Sequence, residues 1–123
     1  MARILIADDR ETMRKALKLT IGTHPGWEVC GEADNGGEVL AKAAELQPDV
    51  VVLDFKMRPV NGIKAGSELS ASMPNMPIVM YTLYRTPELE VAAKLVGIRE
   101  VVGKEDGGRN LLGAIESALL ANN

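Results

Sequence analysis

Apolar residues fall along this chain in two rhythms. RILIA (3–7), VVVL (50–53) and IVMY (78–81) are short unbroken runs rich in β-branched residues. Strands covered on both faces have this pattern. WEVCGEA (27–33) is less continuous, as expected for a strand near a sheet edge, and EVVG (100–103) completes a set of five. Between these runs, apolar residues recur at helical spacing. Residues 11–22 place Met13, Leu17 and Ile21 on one stripe, and residues 37–47 place Leu40, Ala43, Ala44 and Gln47 on another, beside Val39 and Leu46. Residues 62–72 carry Ile63, Gly66 and Leu69. Residues 87–96 carry Leu89, Ala92, Ala93 and Val96, and residues 109–121 carry Leu111, Leu112, Ile115 and Leu119. His24-Pro25-Gly26, Pro48, Met73-Pro74 and Gly97 punctuate the helices. Thr86 suits an N-cap, and Pro87 the first helical position.

Strict alternation of five strands and five helices predicts an α/β fold, with a parallel sheet covered by helices on both faces. The 123 residues fit one domain over 1–123, either a complete protein or the first domain of a longer one. A hydrophobic share of 46% excludes disorder, and aromatics at 3% leave the core to aliphatic side chains. The formal net charge is −3 and the 14 basic residues are scattered, which argues against direct nucleic-acid binding by this chain. Cys30 is alone, so no intrachain disulfide forms, in keeping with a reducing cytoplasm. The apolar run in MARILIADD is too short for a signal peptide or membrane span. A soluble cytoplasmic domain is expected.

Ligands of open parallel sheets bind at the carboxyl ends of the strands. Asp8 and Asp9, Asp54, Thr82 and Lys104 all fall there. Each has a plain structural reading. One of the paired aspartates caps a helix, Asp54 forms a turn, Thr82 is a β-favouring residue, and Lys104 lies in solvent. Gathered at one edge, they suit a divalent metal and a phosphoryl group. A carboxylate at the end of a buried strand is costly unless paired or metal-bound, and as a nucleophile it forms an acyl phosphate. The hydroxyl and the ammonium suit phosphoryl oxygens. Three carboxylates and one ammonium leave the site negative by about two charges, so Mg²⁺ (or Mn²⁺) is needed to admit a dianionic donor.

At this point the residues resemble the receiver domain of two-component response regulators. The resemblance rests on ILIADD (4–9), GEADNGGEVL (31–40), PDVVVLDFKM (48–57), NG (61–62), PIVMYT (77–82) and VVGK (101–104). GEADNG and the Lys104-Glu105 junction are most similar to the LuxR/NarL-type branch, whose members carry helix-turn-helix output domains. The resemblance implies the flavodoxin-like (βα)5 fold, doubly wound, with strand order 2-1-3-4-5. It implies that Asp54 accepts phosphate from a sensor histidine kinase or phosphotransfer protein. Asp9, Asp54 and the backbone carbonyl of Lys56 would ligate the metal directly, and Asp8 largely through water. Thr82 and Lys104 would bind the phosphoryl oxygens. A homodimer, and a DNA-binding output in a longer parent, are within the family's range.

Several positions depart from the family pattern. Arg58 replaces a proline four residues after Asp54, with Pro59 following, and the bulky Leu83 replaces a small residue after Thr82. Val101 stands where the switch aromatic normally lies, Glu100 where glycine is common, and Glu105 where proline follows the lysine. Non-proline cis bonds are costly, so the sequence leaves the isomer of the peptide after Lys104 open. Signalling without a rotating aromatic is the expectation, with Tyr84 the only nearby aromatic candidate. Lys56, Arg58 and Lys64 add positive charge after the acceptor position, either over the site or in a solvated loop. Arg14, Lys15 and Lys18 offer a docking face for a kinase or an ordinary solvated helix face. His24 reads as a loop residue, and Trp27 and Cys30 as packing residues.

Three other classes fit these residues less well. A haloacid-dehalogenase-type hydrolase needs a second aspartate two residues after its nucleophile, and Lys56 stands there. A flavodoxin needs a phosphate loop, and ADDRE lacks one. A degenerate receiver, binding partners without phosphorylation, is countered by retention of all five functional positions.

Overall fold

The computed structural model describes residues 1–121. Asn122 and Asn123, the end of the expected 1–123 domain, lie outside the described residues. The elements are β1 (Ala2–Ala7), α1 (Glu11–Gly22), β2 (Trp27–Ala33), α2 (Gly36–Leu46), β3 (Val50–Leu53), α3 (Gly62–Ser72), β4 (Ile78–Thr82), α4 (Pro87–Leu95), β5 (Glu100–Gly103) and α5 (Gly108–Ala121). All strand pairs are parallel, in the order β2-β1-β3-β4-β5. This is the expected doubly wound topology, with the polar-interrupted 27–33 strand at an edge.

Side chains alternate across the sheet and so build two cores. Leu5, Ala7, Val51, Leu53, Ile78, Met80 and Val101 face α2, α3 and α4. Ile4, Ile6, Val50, Val52, Val79, Tyr81 and Val102 face α1 and α5. Each fully buried Val, Leu or Ile contributes about 1.5–3 kcal/mol of transfer free energy. Ile4 to Ile6 and Val50 to Leu53 are almost wholly buried, which fixes β1 and β3 as the stiff centre of the sheet. At the edge, the β1–β2 register shifts between Ile4 and Leu5, leaving Cys30 out of the pairing.

The caps follow the sequence. The Thr86 side chain accepts from the Leu89 amide at 3.1 Å, with Pro87 at the first turn of α4. Asn35 and Asn61 cap α2 and α3 in the same way. Gly97 adopts φ +97°, a left-handed stop. The stripe expected on α2 is turned: Val39 and Ala43 are buried, whereas Ala44 and Gln47 are exposed. Alanine is apolar enough to fit either face, so periodicity alone misplaces it. The cis peptide lies at Arg58–Pro59, not after Lys104. No helix among the described residues is long and apolar enough to cross a membrane.

Candidate functional site

The two central strands deliver two carboxylates side by side. The Asp54 amide donates to the Ala7 carbonyl at 3.0 Å, one rung past β3, and the Asp8 amide donates to the Ala33 carbonyl at 3.0 Å. Thr82 ends β4 in register with Gly103, so Lys104 begins just beyond β5. Strand register alone therefore brings Asp8, Asp54, Thr82 and Lys104 to one edge.

The plain structural readings fail for several of these residues. Lys104 is no surface lysine, since its side chain is only 4% exposed. Its Nζ donates to Asp8 Oδ2 at 2.7 Å and stands 3.6 Å from Asp54 Oδ2. Asp8 is buried and caps no helix. Its Oδ1 accepts from the Arg10 amide at 2.9 Å, and Arg10 itself holds the N-cap position of α1 without a side-chain cap. Asp54 Oδ1 accepts from the Phe55 amide at 2.8 Å. Thr82 is wholly buried, and its Oγ1 accepts from the Tyr84 amide at 3.1 Å, leaving the hydroxyl proton to donate.

The Asp54 carboxyl is pushed up to about 6, chiefly because burial strips it of water. Lys104 opposes this and Asp8 adds to it. One oxygen each from Asp8, Asp9 and Asp54 lies within 4.8 Å of the others. Asp9 is exposed and has no side-chain partner among the described residues. A convergent set of hard oxygen donors, one of them unpartnered, fits a divalent cation.

The site opens into a cavity of about 300 Å³. Arg10, Lys56 and Arg58 line its mouth with positive charge, and Leu83 and Tyr84 supply an apolar side. Of the two alternatives for Lys64, the solvated one holds: it is exposed on α3 and does not line the cavity. Lys56 Nζ lies 3.3 Å from the Tyr84 hydroxyl and 5.0 Å from its ring centroid. Val101 is buried in the core facing α4.

Residues 4–116 match the sequence model of the response regulator receiver domain. The chain belongs to this family. Over 83% of its length it is 38% identical to the chemotaxis protein CheY of Thermotoga maritima, covering 84% of that protein. It is 32% identical over 94% of its length to the DNA-binding transcriptional activator DevR/DosR of Mycobacterium tuberculosis, covering 54% of it. A two-component response regulator of the LuxR family from Aurantimonas superimposes with a TM-score of 0.95 at 28% identity, over 98% of this chain and 86% of that one. The chain thus spans about half the length of the transcriptional regulators it matches. As a receiver domain it is a phosphorylation-accepting switch of two-component signalling.

Within this receiver, several residues escaped sequence reading. Arg14 and Lys18 are not a free cationic face, because both pair with Glu32, at 3.0 and 2.6 Å. Arg14 also donates to the Asp8 carbonyl at 2.9 Å, buttressing the acidic turn. Lys104 Nζ lies 5.9 Å from the Tyr81 ring centroid, so a second aromatic besides Tyr84 stands near the site. Gly62 opens the 62–72 helix, and a Cβ there would collide with the Asp54 backbone carbonyl. Its amide donates to the Phe55 carbonyl at 2.7 Å. The N–G pair in the sequence was the signal available for it.

Proposed function

We propose that Asp54 is the phospho-acceptor of this receiver. The observation that carries the reading is a buried carboxylate at a strand end, beside a buried lysine and open to a cation-rimmed cavity. Arg10, Lys56 and Arg58 draw a phosphorylated donor to the mouth. A carboxylate oxygen of Asp54 attacks phosphorus, the P–N bond of a phosphohistidine breaks, and the imidazole departs with the bonding pair. Thr82 donates its hydroxyl proton to a phosphoryl oxygen, and the Lys104 ammonium neutralises another. Asp8, Asp9, Asp54 and the Lys56 carbonyl would hold Mg²⁺ or Mn²⁺. When bound, the metal supplies the charge neutralisation that an anionic donor needs in this acidic turn. Water later hydrolyses the acyl phosphate and resets the switch.

The donor is a sensor histidine kinase or phosphotransfer protein, and the chemistry belongs in the cytoplasm. The single receiver over 1–123 would control a DNA-binding output if its parent resembles the transcriptional regulators it matches. Tyr84 and Val101 sit where the response would leave the site, and Leu83 narrows access to it.

Borohydride reduction of the phosphorylated protein tests the acceptor. An acyl phosphate at Asp54 is converted to homoserine, so peptide mapping should find that residue at position 54 alone. Homoserine elsewhere, or nowhere in a protein that carries phosphate, contradicts the assignment.

A further inference from the structure

Val101 is too small to carry a signal by rotating, and the side chain beside it is charged. Arg85 borders the same two clefts as Val101, on either side of β5. Its Nη1 donates to Asp106 Oδ2 at 3.2 Å and its Nε to Glu90 Oε1 at 3.3 Å. Asp106 ends the short 3-10 turn that Lys104 begins. Arg85 lies one residue beyond Tyr84, whose amide is fastened to the Thr82 hydroxyl.

We infer that Arg85 is a positioning residue that joins the two phosphoryl-binding loops. This rests on the reading of Asp54, Thr82 and Lys104 as the phosphorylation site. One loop runs from Thr82 to Arg85 and the other from Lys104 to Asp106. The Arg85–Asp106 bridge spans them, so neither phosphoryl-binding group shifts without loading the other. The Thr82 hydroxyl moves toward a phosphoryl oxygen only by drawing on the Tyr84 amide and the segment behind it. The Lys104 ammonium leaves Asp8 only by drawing on the turn that holds Asp106. Glu90, in the first turns of α4, takes the other edge of the guanidinium. Arg85 thereby also ties both loops to α4, the helix packed over Val101. The planar fork of arginine suits this, because it offers fixed donors to two carboxylates at once.

The competing account is an ordinary surface pair, since Arg85 and Asp106 are 43% and 38% exposed. A double-mutant cycle separates the two. Phosphorylation is followed with phosphoramidate and Mg²⁺ in wild type, Arg85→Gln, Asp106→Asn and the double variant. Each single change should slow phosphorylation about two- to five-fold, the scale of one half-exposed ion pair. The double variant should be no slower than either single one, and Arg85→Lys should recover part of the loss. In parallel, the Arg85 Nε–H resonance should move when beryllofluoride and Mg²⁺ are added. In Asp106→Asn that response should be lost while the Thr82 amide still responds. Multiplicative losses in the double variant overturn the inference. So does a silent Arg85 resonance while the Asp54 and Thr82 amides move. If those amides are silent too, the phosphorylation-site reading fails, and the inference falls with it.

Discussion

Asp54 is held in a costly state. Its carboxyl ionises near pH 3.8 in the unfolded chain but is pushed up to about 6 in the fold, by burial first and Asp8 second. The folded state therefore binds the proton more tightly. The stability this confers is complete below about pH 4, falls as pH rises toward about 6, and is gone above that. Asp54→Asn removes the penalty of the buried charge. In metal-free buffer the variant should match wild type near pH 4 and exceed it near neutrality by on the order of 1–3 kcal/mol, with solvent at the mouth favouring the lower figure. Urea unfolding at the two pH values, with a chelator present, measures the difference. A gap that is constant with pH, or that reverses, contradicts the assignment of strain to this carboxylate. On the proposed reading the same strain would favour function, since a crowded acidic turn gains most from a cation. Asp8, Asp54, Thr82 and Lys104 were legible in the sequence because strand ends are legible, and chemistry at strand ends converges. Their partners were not. The bond from Arg14 to the Asp8 carbonyl and the link from Lys56 to Tyr84 depend on rotamers and loop paths, which hydrophobic pattern does not encode.

At the scale of elements, the acceptor loop is shaped by what closes against it. The first residue of α3 is Gly62, and the backbone of Asp54 and Phe55 occupies the space a side chain would take. Backbone cannot yield as a flexible side chain does. Gly62→Ala should cost about 1–3 kcal/mol by overpacking, despite alanine's better helix propensity. It should also slow phosphorylation, because the carbonyl displaced belongs to Asp54. Thermal melts and phosphorylation rates measured on the same variant check both effects. A variant as stable and as fast as wild type would show that the loop adapts freely. The sequence placed Gly62 at the start of a helix and said nothing of its packing. Pattern alone also turned the stripe of α2, where Ala44 passes equally well for a core or a surface residue. Caps fared better: Thr86 and Gly97 act through their own backbone geometry, which is local and so readable.

Across the whole molecule, the sheet is a rigid floor with a polar rim. Two aliphatic cores pin β1 and β3, so the carboxylates sit on the part of the fold least able to move. Thr82 ends β4 and Lys104 follows β5, and the loops beyond them are exposed and joined by the Arg85–Asp106 ion pair. A phosphoryl group on Asp54 would thus act from a fixed point on two movable ones. On the proposed reading, with valine at position 101, the switch would fall to these loops. Leu83 and Tyr84 beside the cavity, and Val91 and Leu95 one turn apart on α4, remain exposed. Intact mass after incubation with acetyl phosphate tests the central claim most directly. Wild type with Mg²⁺ should gain one phosphoryl group, and wild type with a chelator, or Asp54→Asn with Mg²⁺, should gain none. An adduct that persists in Asp54→Asn, or a folded wild type that takes up no phosphate with metal present, would contradict the account.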